Sequence, residues 1–205
     1  MHLRIRPVGA NALLLSCADG DAAQAWRAEL WRRRDAGELT AVEIVPGACT
    51  VLLDGVPDVE QTAARIAGWE PEPPAVADAG ERVDIPVVFD GEDLDDVAEL
   101  WGVDRAAAIT RLVEAELRVA FSGFAPGFAY LTGLPAGWAV PRLATPRTRV
   151  PAGSVGLAGA YAGIYPTASP GGWRLIGRTD ATLFDVRRDP PALLVPGTGV
   201  RLVPA

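Results

Sequence analysis

The sequence predicts an α+β protein in two parts, and three observations carry that prediction. Across roughly the first 70 residues, strand-like runs alternate with two segments of helical periodicity. A polar, Pro-rich stretch, EPEPPAVADAG at 70–80, then interrupts the pattern and reads as a linker. From about residue 117, helical periodicity ends and short β-rich runs alternate with Gly and Pro, which indicates a compact barrel or sandwich. The expected domains are 1–80 and 81–205, the second opening with two short helices.

In the first part, LRIRPV and ALLLSC read as strands. NALLLSC, ending at Cys17, loosely resembles a lipoprotein cleavage site. Pro7, Gly9 and Asn11 interrupt the apolar core such a signal needs, so a buried strand is expected and the chain is read as cytoplasmic. DAAQAWRAELWRRRDAG reads as a helix, capped by Asp19 or Asp21, with Ala22, Trp26 and Leu30 every four residues and Gly37 at its end. Arg32–Arg34 fall in its last turn, where cations suit the helix dipole, and read as a solvated helix end. AVEIVP and CTVLLDG are strand-like, split by Pro46-Gly47. PDVEQTAARIAGW places Val59, Ala63 and Ile66 on one helical face. A β-α-β-β-α order at this length suggests a ferredoxin-like α/β sandwich.

RVDIPVVFD is a strand that either completes the first sheet or opens the second domain. EDLDDVAELWG and DRAAAITRLVEAE read as short helices. LRVAFSG, SVGLAG, AGIYP, GWRLIG, ATLFDV, ALLVPG and VRLVPA read as the strands of the second part.

Composition excludes several chemistries. The only histidine is His2, and all 19 basic residues are arginine. A Ser-His-Asp or Cys-His mechanism would need that N-terminal histidine, a Walker A loop lacks its lysine, and there is no lysine to form a Schiff base. Cys17 and Cys49 form no CxxC motif and read as two buried reduced thiols, and no metal site is expected. Catalytic residues stay unassigned. A hydrophobic content of 49% implies a large core, a partner-covered face, or both, without any run long enough to span a membrane. A net charge of −7 argues against nucleic acid or an acidic membrane as partner. Charge is segregated: 54–104 carry 15 acidic groups against Arg65 and Arg82, while 142–205 carry eight arginines against Asp180, Asp185 and Asp189. The C-terminal part is expected to be where an anionic small molecule docks.

Residues 121–180 hold 11 glycines and 7 prolines. Glycine lets backbone approach a ligand or another strand closely, and tight barrels also need it at corners. GFAPGFAYL, PRLATPRTRVPAGSVGLAG and GIYPTASPGGWRLIGRT, in that order, resemble the KipI-like family. That family includes the B-type subunit of 5-oxoprolinase and allophanate hydrolase subunit 1, and matches subdomains C and D of the carboxyltransferase domain in biotin-dependent urea carboxylase. The resemblance implies a ferredoxin-like N-terminal domain and a cyclophilin-like C-terminal β-barrel. It implies ATP-dependent opening of 5-oxoproline to glutamate, or a related amide reaction, with a larger C-type subunit and an A-type subunit as partners. ATP would bind mainly on those partners or at a shared interface. The alternative within the family is a KipI-like inhibitor of a sensor histidine kinase. Relatives usually carry a His and, shortly after, a Glu-Tyr pair before the first motif. Here Leu112 and Leu117 replace the His and Tyr while Glu116 is kept.

An anionic substrate needs fixed donors, and Arg142, Arg147 and Arg178 are the candidates, with Arg149 on the same side of an extended segment as Arg147. PAGSVG offers the backbone N–H groups of Gly153, Ser154, Val155 and Gly156 plus the Ser154 hydroxyl as an oxyanion cradle. Gly171 and Gly172 bring backbone close to a ligand with Trp173 as a wall, or else form a hairpin with Trp173 in the core. Thr179 is grouped with these donors, or makes a turn with Asp180. Phe124, Pro126, Gly127, Phe128, Tyr130 and Tyr165 are assigned to a pocket lining or a partner-facing patch.

Overall fold

The computed structural model describes residues 3–71 and 82–205, so most of the expected linker lies outside the described residues. The chain forms two compact units, Met1–Asp78 and Ala79–Ala205. No described helix is long and apolar enough to cross a membrane.

The first unit runs β1 (Arg4–Pro7), β2 (Ala12–Ser16), α1 (Gly20–Asp35), β3 (Glu43–Pro46), β4 (Thr50–Asp54) and α2 (Val59–Ala67). Its strands form a sheet in the order β1-β2-β4-β3, with every neighbour antiparallel. Alternation sends Leu13, Leu15, Val51 and Leu53 to one face, where they meet Ala23, Trp26 and Leu30 of α1 and Ile66 of α2. Asp19, not Asp21, caps α1: its carboxylate accepts from Ala22 N–H at 2.8 Å. Asp58 caps α2 in the same way through Gln61 N–H at 2.9 Å. Beyond α1, Gly37 takes a positive φ of 73°, the left-handed stop its sequence suggested. Cys17 is buried as expected, but Cys49 is exposed, because it sits in the turn between β3 and β4 rather than under a helix.

The second unit contains β5 (Arg82–Val87), α3 (Leu94–Leu100), α4 (Arg105–Glu114), β6 (Leu117–Ser122), β7 (Ala129–Thr132), β8 (Arg147–Val150), β9 (Ser154–Ala158), β10 (Tyr161–Ile164), β11 (Ser169–Gly171), β12 (Arg174–Arg178) and β13 (Gly199–Pro204). Seven strands form one sheet in the order β12-β9-β10-β7-β6-β13-β5, and β8 with β11 makes a separate ribbon. RVDIPVVFD therefore opens the second unit, pairing in parallel with β13. The two edge strands almost meet: Val88, just past β5, and Arg178, at the end of β12, exchange both backbone hydrogen bonds at 2.9 and 3.0 Å. That bridge makes the sheet a nearly closed barrel, which hides its edges. Gly177 permits the approach, since a Cβ there would lie 2.4 Å from the Val88 carbonyl oxygen.

ATLFDV and ALLVPG are not strands. Apart from one Phe184–Ala192 bridge they are irregular, and Leu183 and Leu194 are apolar because they plug the main core. That core joins inward side chains of the barrel strands, such as Val119, Leu131, Leu157 and Leu202, to Leu94 and Val97 of α3 and Leu112 of α4.

Candidate functional site

On β7, Ala129 and Leu131 enter the main core, while Tyr130 and, just before the strand, Phe128 join a separate aromatic cluster. Tyr130 lies opposite Gly163 on β10, which in turn lies opposite Gly156 on β9. Lacking side chains, the two glycines form a flat floor beneath the rings. A Cβ on Gly163 would come within 2.9 Å of both the Phe128 and Trp173 rings, and one on Gly156 within 3.1 Å of Trp173 Cβ. Phe128 meets Tyr130, Tyr165 and Trp173 edge-on, with centroids 5.0, 5.4 and 5.4 Å away. Tyr130 stacks on Phe121 at 4.3 Å, and Tyr161 closes against both. Phe128, Tyr165 and Trp173 are buried and make this layer a second small core. Trp173 is thus a core side chain, but Gly171 and Gly172 do not make the hairpin of the alternative reading, because β11 pairs with β8 and β12 with β9.

Phe124 is the exposed tip of the layer. It is 60% exposed, and its ring stands edge-on to Phe128 at 5.2 Å and to Tyr165 at 6.2 Å. Its φ is +68°, the only positive value on a non-glycine among the described residues. Ala125 N–H donates to the Gly123 carbonyl across it at 2.8 Å, which closes a rare and strained three-residue turn. Gly127, at φ +83°, lets the loop abut Leu183 and Phe184, and Pro126 is exposed beside it. Strain of this kind persists where surrounding contacts over-determine it, and it clusters at functional sites.

Tyr165 lies beneath this tip. Burial raises its phenol above the ordinary value, against the Trp173 backbone N–H and the Arg142 and Arg147 cations that pull the other way. The phenol therefore stays protonated at neutral pH. Arg142 is exposed next to it and pairs with no carboxylate among the described residues.

The other arginines correct the sequence expectation. Arg147 does not wait for a ligand: its Nη2 donates to both oxygens of buried Asp93 at 2.8 Å, and its Nη1 to the Trp173 carbonyl at 3.3 Å. Arg178 pairs with Asp90 at 2.9 Å, Arg174 with Asp96 at 2.9 Å, and Arg201 with Asp84. The acidic middle and the basic C-terminal part thus neutralise one another within the second unit. Much of the segregation is therefore a fold contact among Arg147, Arg174, Arg178 and Arg201 and their carboxylate partners. Arg149 is exposed and, like Arg142, lacks a carboxylate partner among the described residues.

The PAGSVG cradle is likewise used by the fold. Gly153 N–H donates to Tyr165 O at 2.7 Å and Ser154 N–H faces Pro151 O at 3.4 Å, while Val155 and Gly156 sit inside β9 between β10 and β12. Ser154 is buried. Gly153 has φ +78°, and a Cβ there would strike the Thr179 carbonyl at 2.2 Å, so it is a packing glycine. Gly171 is required by the Tyr165 hydroxyl, 2.3 Å from where its Cβ would stand, and Gly172 O accepts from Leu143 N–H at 2.8 Å. Thr179 is buried, and its Oγ1 accepts from Ala181 N–H at 3.2 Å in the turn that was the alternative reading. Arg178 and Thr179 instead line a separate cavity of about 200 Å³ at the barrel seam, with Pro86, Val88 and Ala181.

Leu112 and Leu117 are buried in the main core, away from the aromatic layer, while Glu116 is exposed near Arg82. Three residues of consequence escaped the sequence reading. Asp93 was hidden in an acidic helix, although its place just before an apolar stripe marks a helix start. Phe121 and Tyr161 were legible only once strand pairing set them beside Tyr130. Among the described residues no three His, Cys, Asp or Glu side chains cluster as a metal site.

Comparison with known proteins finds relatives that align over most of the chain. Residues 3–194 match the family model for the carboxyltransferase domain, subdomain C and D. The B-type subunit of 5-oxoprolinase from Haemophilus influenzae is 38% identical over 208 residues, covering 98% of this chain and 97% of its own length. The corresponding 5-oxoprolinase subunit of Escherichia coli O157:H7 is 43% identical over 169 residues, covering 80% of this chain and 78% of its own length. Among solved structures, TTHA0988 superposes with a TM-score of 0.77 at 31% identity, over 98% of this chain, which spans only 40% of that longer chain. The conserved protein PH0987 of Pyrococcus horikoshii gives 0.59 at 35% identity, over 98% of this chain and 97% of its own. The Kluyveromyces lactis urea carboxylase shares the fold at a TM-score of 0.69 and 19% identity, over 99% of this chain and 22% of its own. The chain belongs to the family of the carboxyltransferase domain, subdomain C and D.

Proposed function

We propose that this chain is the B-type subunit of a heteromeric, ATP-dependent 5-oxoprolinase, which opens a cyclic amide to glutamate in the cytoplasm. The observation that carries the reading is end-to-end similarity to the Haemophilus influenzae B-type subunit, with 98% of one chain aligned to 97% of the other. That similarity favours the enzyme subunit over a kinase inhibitor of KipI type. The strand order β1-β2-β4-β3, with α1 linking β2 to β3 across β4, supports a ferredoxin-like first domain whose fourth strand comes first. The nearly closed seven-stranded sheet supports a cyclophilin-like second domain.

The chain supplies a surface rather than a complete catalytic set. It has no lysine, and its one histidine is His2, so proton transfer and ATP chemistry belong mainly to C-type and A-type partner subunits. Phe124, with Pro126 and Gly127 in its loop and Phe128, Tyr130 and Tyr165 beneath, is the face offered to the partner. Of the two arginines without a carboxylate partner among the described residues, Arg142 and Arg149, Arg142 is the one beside the protonated Tyr165 phenol, where it can meet a carboxylate.

The test is ATP-dependent conversion of 5-oxoproline to glutamate by the purified complex, with and without this chain. Turnover that appears only when the chain is present supports the assignment. An intact complex that binds the chain and leaves 5-oxoproline unchanged overturns it.

A further inference from the structure

We infer that Cys17 and Cys49 form a redox-active cross-strand dithiol at the end of the first unit's sheet. The register of β2 and β4, from Ala12 opposite Asp54 to Ser16 opposite Thr50, carries Cys17 opposite Cys49 one step further. The backbone confirms the step, since Cys17 N–H donates to Cys49 O at 2.8 Å. Opposed residues at such a hydrogen-bonded position have Cα atoms about 5.5 Å apart, within the roughly 4.4–6.8 Å that a disulfide spans. Both thiols are free in this structure.

The two sulfurs differ in a way that orders the chemistry. Cys49 is exposed, in the turn where Gly47 N–H closes on Thr50 O at 2.7 Å. Cys17 is buried among Leu15, Ala23 and Trp26, and burial, with Cys49 and Asp19 as the neighbouring titratable groups, pushes its thiol up to about 11. Cys49 is therefore the attacking sulfur and Cys17 the resolving one. With a low-molecular-weight disulfide as oxidant, the Cys49 thiolate attacks one oxidant sulfur. The oxidant S–S bond breaks, a mixed disulfide forms, and one small thiolate leaves and takes up a proton. Cys17 then loses its proton and attacks the Cys49 sulfur, which expels the second small thiolate. Two electrons pass from the protein thiols to the oxidant. The product ties the end of β2 to the start of β4. It pins the turn whose Ala48 carbonyl already lies 3.2 Å from where a Cβ on Gly20, at the start of α1, would stand.

The experiment treats the full chain with oxidised glutathione and follows intact mass and a tryptic map under non-reducing conditions. The expected result is loss of two hydrogens and one linked peptide pair joining Cys17 to Cys49. Cys17→Ser, or Cys17→Ala if the serine variant does not fold, should stop at a stable glutathione adduct on Cys49. Cys49→Ser should take up no glutathione. Wild-type protein that keeps both thiols, that stops at the adduct, or that cross-links between chains overturns the inference.

Discussion

Arg147 Nη2 lies 2.8 Å from both carboxylate oxygens of Asp93, joining β8 of the ribbon to the residue that immediately precedes α3. Asp93 also accepts from Leu175 N–H at 2.6 Å, so one buried carboxylate holds a helix start, a barrel strand and the ribbon together. Burial works against the Arg147 charge, but Asp93 outweighs it and raises its pKa. Removing one partner of such a pair leaves the other charge buried and uncompensated, at a cost of about 3 kcal/mol. Asp93→Ala and Arg147→Ala should each lower the unfolding free energy read from urea titration by that much, and the double variant should lose clearly less than the two single losses combined. An Arg147→Ala protein of unchanged stability would return that arginine to the ligand-binding candidates.

The aromatic layer depends on absent side chains. Gly163→Ala drives a methyl to 2.9 Å from two rings that are themselves buried, and neither ring has room to retreat. Overpacking of this kind costs about 1–3 kcal/mol. Gly156→Ala meets only Trp173 Cβ at 3.1 Å and should cost less. Chemical denaturation ranks the two, and near-ultraviolet circular dichroism should lose aromatic intensity chiefly in the Gly163 variant. Equal stabilities would mean that the floor is not what positions the rings.

Phe124 is held in a strained turn with its ring mostly in solvent, so its worth to the isolated fold is small. Phe124→Ala should change stability by no more than about 1 kcal/mol, because it removes two edge-on contacts and keeps the turn. If this face docks a partner subunit, the same change should weaken the complex at least tenfold, the loss typical of a central aromatic anchor. Titration calorimetry or analytical ultracentrifugation with the co-purified subunits reads the difference. Undiminished assembly would remove Phe124 from the interface.

Local signals in the sequence located most of the elements. Asp19, Asp58 and Asp104 each cap a helix where the chain places an acid before an apolar stripe. Pairing was not legible. Nothing local says that Gly163 lies opposite Gly156, or that Val88 and Arg178 close the barrel, so glycines needed for backbone approach looked like ligand cradles. The same blindness affected charge. Asp84 faces Arg201 across two strands that are 117 residues apart in sequence, and only their parallel register turns two opposite charge runs into ion pairs. ATLFDV failed for another reason: Leu183 is apolar because it fills the core, and burial without a ladder resembles a strand when only composition is visible.

The end of α1 gives a pH prediction whose sign is fixed by geometry. Glu29 accepts from Arg32 at 2.8 Å and from Arg33 at 2.7 Å, and its side chain is only 10% exposed. The Arg32 hydrogen bond, helped by Arg33 and opposed by burial, holds the Glu29 carboxyl down at about 2, against 4.5 for an ordinary glutamate. A carboxyl depressed in the folded state stabilises the protein above its unfolded pKa, and that contribution disappears as pH falls from 4.5 towards 2. Arg32 is 57% exposed, so solvent screening reduces the effect to about 1 kcal/mol. Glu29→Gln should therefore destabilise by about 1 kcal/mol near pH 6 and by almost nothing near pH 2. Other paired carboxylates, such as Asp84 with Arg201 and Asp185 with Arg187, titrate identically in both proteins, so the difference between them isolates Glu29. Urea titrations of wild type and variant at a series of pH values measure it. A difference that stays constant across the acid range would mean that Glu29 acts through packing, with its charge contributing nothing to stability.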